Sequence, residues 1–377
     1  MAPALSSTAL PQPTETETLL LRASLPTGAE AVTAWHAWRH RVLLDDIDPG
    51  GFRLLPQVYM NLSRQEVVDA DLARLKGAYR KAWVENQVSR RALSLALDHL
   101  AQSGVLALLP AGDAIAQRWY ADPGARHCED RELLVPPERA ADALRTLCGR
   151  GWRRLDGEGP RCPWPARLLP PDGGAQVDLR PYLLRETQHL ETSVDWWPRA
   201  HAFRFDDQDV LGLDPADQLL SVCVAGARGN APIRLRWSAD AWRILTSANQ
   251  DPIDWEHFAR TAADLKVSLP LSAALHYLHR ALNAPLPAGL LQHLRSIPVT
   301  PAEARYHRLN ASPRGRWGEA PVFLAGYARQ REHAGRRRPQ GLIQFLGDAW
   351  GLSSPNAVIA HAAQRLMAAL RRRSHAN

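Results

Sequence analysis

Asp130 and Glu132 stand one residue apart at the head of a short apolar run, Glu132-Leu133-Leu134-Val135. If that run is a strand, alternation puts both carboxylates on one face. A third acid, Asp178, stands in a later run of the same kind, Gln176-Val177-Asp178-Leu179. Three carboxylates converging from neighbouring strands are the hard oxygen donors that hold magnesium. Two such ions can clamp the attacking oxygen, the leaving oxygen and the phosphates of an in-line phosphoryl or nucleotidyl transfer. Upstream, Leu109-Pro110-Ala111-Gly112 leads from an apolar run into a helical one. A glycine at that step lets phosphates approach backbone N–H groups at the positive helix end. Asp113 either N-caps this helix or sets an anion where phosphates would arrive. An Asp-x-Glu pair by itself arises often at strand ends, so the elements around it decide its weight.

Those elements are legible. Val105–Leu109, Arg131–Val135, Trp152–Leu155, Ala166–Leu169 and Ala175–Leu179 are short apolar runs bounded by Gly and Pro, and they read as strands. Ala111–Tyr120 and Glu138–Arg150 read as the helices between them. Before this unit, residues 19–62 show helical spacing broken at Asp48-Pro49-Gly50-Gly51, and Gln65–Ser103 is a proline-free helix with one break allowed. After Pro181 the helical signal returns in Pro215–Ala225, Leu235–Thr246, Asp254–Leu265, Leu269–Leu282 and Asn356–Arg372. Ile297–Pro339, rich in Arg, Gly and Pro, reads as a long surface connection. The fold expected is α+β: residues 104–182 form the α/β core. Residues 1–15 form a flexible lead-in and 16–103 an N-terminal helical region. Residues 183–296 form a helical C-terminal region, and 297–377 the connection and last helices.

Composition narrows the field. The 377 residues are 45% hydrophobic and 23% charged, which is a folded chain rather than a disordered or fibrous one. No run reaches the roughly 18 apolar residues of a membrane span, and the N-terminus lacks a basic segment ahead of an apolar one. A cytoplasmic protein without a membrane partner is expected. Cys128, Cys148, Cys162 and Cys223 form no CxxC pair, so neither a zinc site nor a disulfide framework is indicated. The net charge of +7 comes from scattered arginines, with only Lys76, Lys81 and Lys266 as lysines. No RNA- or DNA-binding motif accompanies them, and the runs Arg336–Arg338 and Arg371–Arg373 read as solvated. His276 and His279 read as helix packing, and Asp240 and Asp254 as helix starts or turns. Trp196-Trp197, beside Pro198, is the aromatic pair placed to line a pocket.

The order strand, Gly, helix, Asp-x-Glu strand, helix, Asp strand resembles the polymerase-beta-like nucleotidyltransferase superfamily. More closely, the chain resembles an uncharacterised bacterial nucleotidyltransferase group. The motifs that carry this are Trp119-Tyr120-Ala121-Asp122-Pro123-Gly124-Ala125-Arg126, Asp130-Arg131-Glu132-Leu133-Leu134-Val135, Gly151-Trp152 and Val177-Asp178-Leu179-Arg180. Further along are Ile233–Asp240, Ile253-Asp254-Trp255 and Ala284-Pro285-Leu286-Pro287. The resemblance implies a small mixed-sheet core flanked by helices, and transfer of a nucleoside monophosphate from an NTP. Asp130, Glu132 and Asp178 would then be the catalytic and metal-binding acids, with Mg2+ as cofactor and Mn2+ as its substitute. Gly112, Asp113, Arg118 and Arg126 would face the nucleotide. A small-molecule or peptide acceptor is implied, and the setting is a biosynthetic pathway. Several positions depart from the group: its lysine before the glycine is Ala111, its second metal acid is Glu132 rather than Asp, Arg131 replaces an apolar residue, and two histidines are Arg180 and Ala225. These losses open a second reading, a catalytically degenerate relative that binds or scaffolds a partner of a biosynthetic system. Sequence-independent nucleic-acid binding through the positive charge ranks third.

Overall fold

The computed structural model describes residues 12–25, 28–155, 164–188, 194–229, 235–313, 318–333, 341–350, 352 and 354–374. Cys162, Ile233, Arg234 and the Arg336–Arg338 run lie outside them, as does most of the expected lead-in. Four helices open the chain: α1 (Glu15–Ser24), α2 (Ala29–Arg39), α3 (Pro49–Phe52) and α4 (Leu55–Arg64). The expected break at Asp48–Gly51 is itself the one-turn helix α3. Asp48 starts it by accepting from the N–H groups of Gly50 and Gly51. The next helix, α5 (Leu72–Gln102), is unbroken over 31 residues. Its buried stripe, Leu75, Ala78, Ala82, Asn86, Ser89 and Leu93, recurs every three or four residues, so one face enters the core.

The sheet follows. Its strands are β1 (Leu108–Leu109), β2 (Glu132–Leu134), β3 (Arg153–Arg154), β4 (Ala166–Leu169), β5 (Val177–Arg180), β6 (His201–Phe205) and β7 (Gln208–Gly212). Helix α6 (Asp113–Trp119) follows β1, and α7 (Ala140–Gly149) follows β2. The spatial order is β3-β4-β5-β2-β1-β7-β6. β2 pairs in parallel with β5 and β1 in parallel with β7, while the remaining pairs are antiparallel. The fold is therefore mixed α+β. The β6–β7 hairpin falls where the sequence predicts only helix. Its two five-residue strands mix polar with apolar residues, and the turn places Asp206 at φ +50°, so neither reads as a continuous apolar run.

Nine α-helices follow the hairpin in the described residues: α8 (Pro215–Gly226), α9 (Arg236–Thr246), α10 (Trp255–Asp264), α11 (Ser268–Leu282), α12 (Leu290–Ser296), α13 (Pro301–Ala311), α14 (Ala320–His333), α15 (Leu342–Trp350) and α16 (Pro355–Ser374). The expected surface connection at 297–339 instead holds α13 and α14. Thr300 caps α13 by accepting from Glu303 N–H, and Pro301 occupies a first-turn position where a missing N–H costs nothing. The buried Arg329 of α14 donates Nη1 to the Glu186 carbonyl at 2.9 Å and Nη2 to those of Leu265 and Lys266. Those bonds tie α14 to the body of the molecule.

Two apolar clusters hold the sheet. On one face Leu109, Leu133, Val135, Val177 and Leu179 pack on Leu93 and Leu97 of α5 and on Leu147 of α7. On the other, Leu108 and Leu134 join the N-terminal helices to α8, α9 and α11. Each fully buried leucine contributes roughly 1.5–3 kcal/mol relative to exposure. Among the described residues no helix is long and apolar enough to cross a membrane.

Candidate active site

Strand alternation sends Leu133 and Val135 of the β2 run, and Val177 and Leu179 of β5, into the α5–α7 side of the core. Glu132, Asp178 and Arg180 are left on the opposite face. Glu132 stands in register with Asp178, and Leu134 with Arg180, across the parallel β2–β5 pair. Asp130 comes two residues before Glu132. Over this face α8 and α9 close a cleft of about 340 Å³. The sheet side contributes Ala111, Asp130, Glu132 and Arg180, and α9 contributes Arg236 and Asp240.

The acids of the cleft meet guanidinium groups. Arg236 Nη2 donates to Asp130 Oδ2, and Arg180 Nη2 to Glu132 Oε1. Arg126 grips Asp240 with two bonds, Nε to Oδ1 at 2.8 Å and Nη2 to Oδ2 at 2.7 Å. In the cleft wall, Arg228 holds Glu186 in the same fashion, with both bonds at 2.8 Å. Burial pushes the Asp130 carboxyl upward, but Arg236, Arg126, Arg180 and Arg53 together hold it below its ordinary range. Glu132 goes the other way: burial and the charges of Asp130 and Asp178 raise it against the pull of Arg180. Glu186, with Arg228 in contact, is held down to about 2 despite its burial.

The loop that carries Asp130 is positioned by residues far away in sequence. Asn86 of α5 donates to the carbonyls of Pro123 and Arg126 at 3.1 and 2.7 Å and accepts from Cys128 N–H at 2.9 Å. Gly112 has φ +55°, and a Cβ there would lie 2.2 Å from the Asp130 carbonyl oxygen. The glycine is thus required by close backbone approach to the carboxylate-bearing loop. Two four-residue spacings then interlock. Arg126 and Asp130 on the loop meet Asp240 and Arg236 of α9, so each cation faces an anion.

The residues expected to face a nucleotide are dispersed. Arg126 lines the cleft, with Nε and Nη2 engaged by Asp240 and Nη1 by the Cys128 sulfur at 3.4 Å. Arg118 turns away: it donates to the Leu213 carbonyl and to Asp251 Oδ2, and stacks on Trp119 at 4.1 Å. Asp113 is the first residue of α6 rather than its cap. Its carboxyl is buried against Ser89 of α5 at 2.9 Å, and burial raises it to about 6. Asp178 shares the face of Glu132 but lies outside the cleft lining, with Oδ1 accepting from Gln176 Nε2 at 2.7 Å. Trp196 and Trp197 pack against the large apolar cluster, away from the cleft. Asp254 caps α10 as expected, whereas Asp240 sits inside α9 as the partner of Arg126. Arg236, Asn86 and Tyr120, whose hydroxyl donates to Asp240 at 2.8 Å, carry no site role in the sequence reading. The matched i, i+4 charges at 126/130 and 236/240 were the one visible signal for Arg236.

The donor chemistry of Asp130, Glu132 and Asp178 suits a hard divalent cation, and all three belong to one face of two adjacent strands. Their present spacing does not gather three ligands: no group of three His, Cys, Asp or Glu among the described residues is placed to hold a metal ion. Guanidinium groups hold two of the three acids instead.

A family model described as "Uncharacterised nucleotidyltransferase" matches residues 52–283. Among solved structures, the chain is similar to an antigenic nucleotidyltransferase-like protein from Paracoccidioides brasiliensis. The two are 16% identical, and the likeness covers 55% of this chain and 97% of that one at a TM-score of 0.35. At that score the two folds are not shown to be the same. No curated protein matches.

Proposed function

The chain belongs to the uncharacterised nucleotidyltransferase family, whose model spans residues 52–283, and from that premise we propose that its cleft takes a nucleoside triphosphate together with magnesium by exchange of ion pairs. The observation that carries this reading is that the cleft stores carboxylates and guanidiniums as mutual partners, Asp130 with Arg236 and Glu132 with Arg180. Phosphate oxygens are strong bidentate acceptors for arginine. Arg236 and Arg180 can leave their carboxylates for phosphates only if another cation takes their place, because a buried unpaired charge costs several kcal/mol. Asp130 and Glu132, with Asp178 beside them, are the residues that would hold magnesium, which supplies charge neutralisation at the phosphates. Arg180 and Arg236 do the phosphate binding that the group's lysine would do at Ala111. Asp178, on the same sheet face but outside the cleft lining, would have to turn from Gln176 to accept the proton of an acceptor hydroxyl. The product is a nucleoside monophosphate joined to a small-molecule or peptide acceptor of a biosynthetic pathway.

A second reading is favoured by the same pairs and by Ala111. If the ion pairs are permanent, the protein is a binding or scaffold relative of the transferases and takes no nucleotide. Calorimetric titration with ATP, CTP, GTP and UTP, each with and without magnesium, separates the two. The exchange reading expects heat from one nucleotide only when magnesium is present, and loss of that heat in Asp130→Asn. Absence of binding by all four nucleotides with magnesium would sink it in favour of the scaffold.

A further inference from the structure

Beside the cleft lies a second cavity, of about 430 Å³, and most of its wall comes from residues beyond the family match. The sheet side contributes Trp164, Tyr182 and Arg180. The rest includes Tyr306 of α13, Phe323 of α14, Phe345 and Trp350 of α15, and Arg365 of α16. The two cavities share Arg180, Arg185, Arg228 and Glu319. At this volume it is the size of a small-ligand site.

Its composition repeats one motif. Three guanidiniums lie over three of its rings: Arg329 over Tyr306 at 4.9 Å, Arg185 over Phe323 at 5.7 Å, and Arg365 over Trp350 at 5.6 Å. Arg329 spends its Nη groups on backbone carbonyls, whereas Arg185 gives only Nη2 to Glu319 Oε1 and Arg365 only Nε to His361 Nε2, each at 3.0 Å, so the remaining N–H groups of Arg185 and Arg365 are the ones an anion can meet. The wall holds the carboxylates of Glu186 and Glu319, both engaged by arginines, and it also holds unmet donors. Arg180 Nε, Arg329 Nε and Trp350 Nε1 are enclosed and have no hydrogen-bond partner among the described residues. An enclosed donor without an acceptor is unfavourable, so a ligand that brings oxygen acceptors relieves the wall as it binds.

We propose that this cavity is a second ligand site, one that takes a planar aromatic molecule bearing a carboxylate or phosphate. The ring is held among Tyr306, Phe323 and Trp350, and the anion by the guanidinium edges of Arg185 and Arg365. The site stands on its own composition and does not require the cleft to take a nucleotide. Its position, sharing arginines with the cleft, makes it the place where an acceptor would wait.

The test is isothermal titration of the full chain with two sets of probes. One set is AMP, CMP, GMP and UMP, and the other is N-acetyl-L-phenylalanine and N-acetyl-L-tryptophan. Each anion is paired with its neutral counterpart, the nucleoside or the amide. One set should bind, its neutral counterparts at least tenfold more weakly, and Phe323→Leu and Trp350→Ala should each weaken binding at least tenfold. Phe323→Leu keeps the apolar volume and removes the ring face, so it separates loss of stacking from loss of folding. Which set binds tells a phosphate from a carboxylate ligand. The proposal is overturned if no anion in either set binds, if the neutral counterparts bind equally well, or if both folded variants bind like wild type.

Discussion

Replacing Arg126 with Met removes the cation from a pair whose side chains are only 2% and 5% exposed. Asp240 is then left inside the protein with the Tyr120 hydroxyl, at 2.8 Å, as its one remaining donor among the described residues. An orphaned buried charge of this kind costs about 3–5 kcal/mol, well above the ~1 kcal/mol of an exposed pair. Asp240→Leu carries a cost of the same order, because a buried guanidinium is left with the Cys128 sulfur contact alone. Removing both charges removes both desolvation penalties. The double variant Arg126→Met/Asp240→Leu should therefore be more stable than either single one, with a coupling of several kcal/mol. Denaturant unfolding of the four proteins, followed by circular dichroism, measures this cycle directly. Costs that simply add, or single variants within 1 kcal/mol of wild type, would refute the view that Arg126 is a structural clamp. A second readout ties the clamp to the site. Asp240 lies four residues after Arg236 on α9, so loosening it should also weaken whatever ligand depends on Arg236.

Two further outcomes follow from the same environment. Asp113 has its carboxyl raised by burial to about 6 from an ordinary 3.8. The native state thus binds more protons than the unfolded chain between those values, and stability falls as pH rises through them. A shift of about 2 units corresponds to roughly 3 kcal/mol above pH 6. Asp113→Asn, which keeps an acceptor for Ser89, should be more stable than wild type at pH 8 by up to that amount and no different near pH 4. Thermal melts across pH check this, and a pH-independent difference would contradict it. Gly112→Ala forces a Cβ to within 2.2 Å of the Asp130 carbonyl at a positive φ. It should cost roughly 2–4 kcal/mol and displace the Asp130 loop. An unfolding midpoint within error of wild type would show that the loop moves freely.

Much of this molecule can be read locally. The 31-residue α5, the Thr300-Pro301 start of α13 in hindsight, the cap at Asp254 and the strand alternation of Asp130, Glu132 and Asp178 all depend on periodicity or on neighbours within four residues. Local sequence therefore sets the order of elements and which acids share a face. The β6–β7 hairpin escapes such reading because it joins the sheet through the pairing of β7 with β1, a hundred residues earlier. Helix α14 escapes it because the bonds of Arg329 to Glu186 and Lys266 reach across 143 and 63 residues.

The character of the site lies in the same class. Almost every cation in the chain is an arginine, and nothing local distinguishes those that meet an acid from those that meet water. Arg126 finds Asp240 across 114 residues, Arg236 finds Asp130 across 106, and Arg180 finds Glu132 across 48. Arg118, four residues after Ala114 on α6, points instead to Asp251. The carboxylates were written in the sequence as potential metal ligands. The packing of α9 on the sheet sets Arg236 against Asp130 and the β2–β5 pairing sets Arg180 against Glu132, because charge pairing in a low-dielectric interior goes to whichever partner the fold brings within contact.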